Sequence, residues 1–137
     1  MDFFVFISEE WMLVSLLLIL IYTFAFMERY KGGKPISAHE VTRLINSENA
    51  VLVDLRDSKD FNEGHIAGSI HIPQSKFNSR VSELDKYKSK VIVLADKLGN
   101  SAGAVGKSLS KAGFQVNRLQ GGVGEWTSQG LPLVKKK

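Results

Sequence analysis

The sequence predicts an α/β fold: a mostly parallel central sheet flanked by helices on both faces, preceded by one transmembrane helix. Three observations carry this expectation. Residues 50–55 (AVLVDL) and Val91–Ala95 (VIVLA) are apolar runs without alternation, as strands covered on both faces require. Helical stretches separate the strands, the pattern of strand–helix–strand units with right-handed crossovers. Finally, residues 11–27 run WMLVSLLLILIYTFAFM without a charge, within the range of about 17–25 apolar residues that spans a bilayer.

The elements follow in order. The segment 1–30 reads as an anchor rather than a cleaved signal. Its first residues are acidic, and Glu28-Arg29-Tyr30-Lys31 follows the apolar run in place of a small-residue cleavage site. Arg29, Lys31 and Lys34 follow the span, and no basic residue precedes it, which orients the C-terminal side toward the cytoplasm. Residues 31–35 (KGGKP) form a polar linker, and the soluble domain is expected over 36–134, with 135–137 as a basic tail. Ser37 with Glu40 is a capping box opening a helix to about Ser47. Residues 70–72 form a short strand closed by Pro73. The stretch 75–88 reads as one helix, with Phe77, Val81, Leu84 and Tyr87 on one face. After the strand Val91–Ala95, residues 96–101 form a loop leading to a helix that Gly113 stops at Ala112. Residues 116–119 form the last strand, and 123–129 a helix stopped by Gly130.

Composition narrows the chemistry. Among 137 residues there is no cysteine, so disulfides, thiolate metal sites and a cysteine nucleophile are excluded. The net charge of +4 is unevenly spread. Residues 1–27 hold three acids and no Lys or Arg, while 28–137 hold all 18 basic residues and 11 acids. The basic residues are dispersed without interleaved exposed aromatics, which argues against a nucleic-acid partner. The terminal lysines suit anionic headgroups or plain solvation.

Particular residues then carry a resemblance. The run Val53-Asp54-Leu55-Arg56-Asp57, Phe61, Gly64-His65-Ile66-Ala67-Gly68-Ser69-Ile70 and Ile72-Pro73 resembles the N-terminal signature of rhodanese domains. Lys111-Ala112-Gly113-Phe114, Gln120-Gly121-Gly122, Trp126 and Gly130-Leu131-Pro132 resemble the C-terminal one. With its anchor, the chain resembles membrane-anchored single-domain rhodanese-like proteins of bacteria, lodged in the inner membrane with the N-terminus outside. The resemblance implies a catalytic cysteine directly after the strand Val91–Ala95, opening a six-residue loop whose amides stabilise the thiolate and persulfide. Here that loop is Asp96-Lys97-Leu98-Gly99-Asn100-Ser101, and Asp96 stands at the cysteine's position. No persulfide can form on a carboxylate, so the expectation is a chain that is not an enzyme. A phosphoryl-accepting Asp96 lacks nearby acids to gather Mg²⁺. Two uses of the loop stay open: Asp96 caps the following turn or pairs with a neighbour such as Lys97, or the loop offers its amides to a partner's carboxylate or phosphate.

The resemblance also implies that Asp54 and Arg56 brace the loop. His65 reads as a packed turn residue, His39 as exposed on a helix, and His71 as a strand residue facing either way. No His pair has metal-ligand spacing, and no metal or cofactor is expected. Gly99, Gly103 and Gly106 do not match a nucleotide loop and read as packing positions; Trp126 reads as core. The function expected is a protein-interaction or regulatory module at the cytoplasmic membrane face. The alternatives are an accessory protein holding a thiol or persulfide carrier that a partner supplies, and an assembly factor acting through its anchor.

Overall fold

The computed structural model describes residues 2–135, and the chain divides into two units, Met1–Tyr30 and Lys31–Lys137. The first is helical, with α1 (Phe3–Glu9) followed by α2 (Trp11–Tyr30). Within α2, the 18 residues Trp11–Glu28 are long and apolar enough to cross a membrane. Its leucines and isoleucines from Leu16 to Ile21 are all exposed.

The second unit is built on five parallel strands: β1 (Lys34–Ile36), β2 (Ala50–Asp54), β3 (Ile70–His71), β4 (Val91–Ala95) and β5 (Gln115–Leu119). Their order across the sheet is β1-β5-β4-β2-β3. The helices α3 (Ala38–Asn46), α4 (Ser58–Glu63), α5 (Phe77–Arg80), α6 (Gly103–Lys111) and α7 (Gly122–Ser128) connect or follow them. Sheet register pairs Asp54 with Ala95, so the carboxyl ends of β2 and β4 lie level, where ligands meet open sheets of this kind.

The period-two geometry of a strand explains the two cores. Ile92 and Leu94 of β4 point into a cluster with Val53, Leu84, Leu109 and Phe114. Val93 and Ala95 point the other way, toward Val41, Leu52, Leu119, Val123 and Trp126. Each large apolar side chain fully buried there contributes about 1.5–3 kcal/mol. Ser37 caps α3 as expected: its Oγ accepts from Glu40 N at 3.2 Å. The Glu40 carboxylate turns instead to Arg43, at 2.9 Å.

Several local expectations change. The stretch 75–88 is not one helix. It is a 3₁₀ turn (Gln74–Lys76), the single α-helical turn α5, and a 3₁₀ segment (Val81–Tyr87). Phe77 and Leu84 still enter the core, because apolar spacing fixes the buried face without fixing the helix type. The expected strand 70–72 ends at His71. The stretch 31–35 is drawn into the domain: Gly32 and Gly33 are buried, and Lys34 and Pro35 pair with Asn117 and Arg118 as β1. Arg118 Nε also donates to the Gly33 carbonyl at 2.8 Å. Three residues of edge strand are too few to show a pattern in the sequence.

Gly106 lets α6 approach this segment, because a Cβ there would run into the Gly32 carbonyl. Gly106→Val is therefore expected to destabilise by about 1–3 kcal/mol, as overpacking does. Thermal unfolding followed by circular dichroism checks this, and an unchanged midpoint would contradict it.

Candidate functional site

At the end of β4 the chain passes from apolar core to a buried acid: Asp96 is 3% exposed. Its carboxylate needs donors, and the loop curls around it to supply them. Oδ1 accepts from Gly99 N at 2.7 Å. Oδ2 accepts from Ser101 N at 2.6 Å, Ser101 Oγ at 2.9 Å and Ala102 N at 3.2 Å. Both oxygens of an acceptor-only group are thus occupied. Ala102 precedes α6 and offers no side-chain cap of its own, so Asp96 satisfies an amide that a helix start leaves without a partner. Of the two uses of the loop left open by the sequence, the structure has the first: Asp96 caps the turn that follows it.

The outside of the loop is held as firmly. The Asp96 carbonyl accepts from Val123 N at 2.8 Å, and the Lys97 carbonyl from Gly124 N at 2.9 Å. These bonds seat the first turn of α7 on the loop. Gly99 makes the turn at φ +84°, where a Cβ would also meet Gly121 N at 2.7 Å. Gln74 Nε2 ties the far side by donating to the Ser101 carbonyl at 3.1 Å. Lys97, Leu98, Asn100 and Ser101 remain exposed, Leu98 at 64%.

Asp54 and Arg56 form a second buried charge centre. Arg56 donates from Nε at 3.1 Å and Nη2 at 2.9 Å to the two oxygens of Asp54, and its backbone N donates at 2.9 Å. Nη2 also donates to the Gly64 carbonyl at 2.7 Å. The bonds of this pair thus run to the end of α4. Removing one partner of such a pair costs about 3–5 kcal/mol, since a buried charge is left alone.

Next to these centres Arg56, Asp60, Glu63, Lys97, Thr127 and Leu133 line an open cleft of about 270 Å³. It lies between α4 and α7, and α4 is not among the elements that the sequence pattern predicts. Asp57 before Ser58, with Gly64 as the C-cap, is the signal that marks it. Phe61 of α4 is stacked between His65, centroid distance 4.0 Å, and His71, 4.2 Å. His65 Nδ1 lies 3.0 Å from the Phe61 carbonyl and His71 Nε2 2.8 Å from that of Arg56, so both rings are packing groups. His39 is exposed. Trp126 is core, and its Nε1 donates to the Pro132 carbonyl at 3.0 Å. Among the described residues no group of three or more His, Asp or Glu is placed to hold a metal ion. Lys135 is exposed, and Lys136 and Lys137 lie outside the described residues.

The carboxylate's role is directly testable. Asp96→Ala leaves the Gly99, Ser101 and Ala102 amides without an acceptor, a loss of about 1–3 kcal/mol. Asp96→Asn keeps one oxygen and is expected to fall between. Amide hydrogen exchange should quicken at Gly99, Ser101 and Ala102 before it does in β4, and unaltered exchange in Asp96→Ala would refute the assignment.

Comparison with known proteins agrees with this architecture. The rhodanese-like domain family matches residues 37–129. An uncharacterised protein of Escherichia coli (strain K12), YibN, is 42% identical over 88% of this chain and 86% of its own length. The thiosulfate sulfurtransferase GlpE of Actinobacillus pleuropneumoniae serotype 5b is 31% identical over 72% of this chain and 90% of its own. Among solved structures, a rhodanese-related protein from Thermoplasma volcanium superposes with a TM-score of 0.68 at 26% identity, covering 75% of this chain and 99% of that one. The resemblance first carried by the motifs around Asp54, Gly64 and Gly121 thus extends through the fold, and the chain belongs to the rhodanese-like domain family.

Proposed function

We propose that the protein is a catalytically inactive rhodanese-like module, held at the cytoplasmic face of a bacterial inner membrane by α2 and acting there through a protein partner. The observation that carries this reading is Asp96. The chain has no cysteine, and the residue at the head of the loop is a carboxylate whose oxygens the Gly99, Ser101 and Ala102 amides and the Ser101 hydroxyl occupy. Sulfur transfer through a persulfide needs a thiolate at that atom. A loop already filled by its own anion is also a poor receptor for an external one.

The tether rests on α2. Its apolar length suits a span, and the 42% identical relative matches a larger share of this chain than residues 31–137 alone supply. Basic residues follow the span and acids precede it, which supports a cytoplasmic domain. Anchoring raises the local concentration of the domain toward membrane-bound partners without any new contact. The exposed loop residues Lys97, Leu98 and Asn100, on a scaffold fixed from within, are the side chains proposed to meet such a partner.

The purified chain should show no thiosulfate:cyanide sulfurtransferase activity above buffer. Turnover that survives removal of every other protein would overturn the reading. For topology, a reporter active only in the periplasm, fused after Lys137, is expected to stay silent while a cytoplasmic reporter there is active; the reverse pattern would reject the orientation.

A further inference from the structure

The two helical layers of the domain carry opposite charge. Residues 74–90 and α6, which cover the Val53–Leu94–Phe114 core, hold seven basic side chains against two acids, Glu83 and Asp85. Lys76, Lys86, Lys88 and Lys111 are exposed there. The Lys88 ammonium lies 5.3 Å from the centre of the ring of Phe114, which follows α6, and Leu84 and Leu109 share one core cluster, so the 74–90 segment and α6 cover the same face of the sheet. Arg80 is engaged by Glu83 at 2.7 Å, which holds the Glu83 carboxyl below its ordinary range through that hydrogen bond. On the other side of the sheet, α3, α4, α7 and their flanking residues hold Glu40, Glu48, Asp57, Asp60, Glu63 and Glu125 against Arg43, Lys59 and the cleft residue Lys97, with Lys135 next to Val134, which bridges to His65.

The chain also enters the domain on the basic side. Gly32 is buried against α6, where a Cβ would meet the Gly103 carbonyl at 2.6 Å. Helix α2 ends at Tyr30, leaving Lys31 between them, and a residue spans at most about 3.6 Å.

We propose that the surface formed by residues 74–90 and α6 rests on the anionic headgroups of the membrane that α2 crosses, leaving the acidic layer and its cleft toward the aqueous side. The proposal rests on the reading of α2 as a span. Lysines within a Debye length, about 8 Å at physiological salt, are attracted by such a surface. The layer that holds Glu40, Glu63 and Glu125 lacks this excess of basic side chains, so charge favours the 74–90 and α6 face.

The absence of cysteine makes the test direct. Full-length protein carrying Ser110→Cys on α6 or Asn62→Cys on α4 is labelled with a fluorophore and reconstituted in vesicles holding a headgroup quencher. With anionic lipid present, the Ser110 position is expected to be quenched about threefold more than the Asn62 position, the contrast vanishing in neutral vesicles and at 1 M salt, where the Debye length is about 3 Å. Lys86→Glu, Lys88→Glu and Lys111→Glu together should abolish it on the Ser110→Cys background. Equal quenching at the two positions, or a contrast that persists in neutral lipid, overturns the proposal. Shielding of the Ser110 label by single-stranded RNA instead of anionic lipid also overturns it, since the face would then be a nucleic-acid surface. Protein that leaves neutral vesicles at 1 M salt overturns the spanning reading itself; protein that stays, with equal quenching, overturns only the assignment of the face.

Discussion

The carboxylate of Asp96 is the anchor around which the carboxyl end of the sheet is arranged. It is buried at the end of a central strand, and a lone buried anion there would be costly. Four donors from the six residues that follow, 97–102, meet it. In doing so they set the path of the loop, start α6 and present the Asp96 and Lys97 carbonyls to the first amides of α7. One side chain thus joins a strand, a loop and two helices. The order of this corner comes from an internal charge.

The neighbouring strand solves the same problem differently. Asp54 ends β2 level with Ala95 of β4, is fully buried, and takes its compensation from the guanidinium of Arg56. Two carboxylates at adjacent strand ends therefore have separate partners, backbone amides and a hydroxyl for one and an arginine for the other. The Asp54–Arg56 pair reaches the Gly64 carbonyl and fixes the segment that carries the His65–Phe61–His71 stack. These rings fill space beside the cleft, and their nitrogens are directed to backbone carbonyls. What the site presents outward is a short rigid rim, Lys97-Leu98 and Asn100, beside an acidic cleft wall. The ionic groups Asp54, Arg56 and Asp96 are turned inward and hold the shape of this corner.

The start of the soluble unit is built into its packing. The segment 31–33 is packed on α6 through the Gly32–Gly106 approach, and the edge strand β1 extends that grip along β5. The unequal charge of the domain's two layers is the property that an anionic surface distinguishes.

The residues alone determined the α/β class, the central strands, the capping of α3 by Ser37 and the apolar N-terminal helix, because these depend on local periodicity and caps. They also determined that no thiol chemistry is available, a matter of composition. The motifs carried the family, and with it the loop that Asp96 heads. Only the tertiary structure decided which donors Asp96 takes, because Gly99, Ser101 and Ala102 converge on it through a fold of the loop that spacing does not specify. It also decided that Arg56 serves Asp54 and Gly64, that 75–88 breaks into 3₁₀ and α-helical turns under core packing, and that Gly32 and Gly33 belong inside. The separation of charge into two layers is likewise invisible in the linear order, where acidic and basic segments interleave. Crossover handedness sorts those segments onto opposite faces of the sheet, and only then do scattered lysines become a surface.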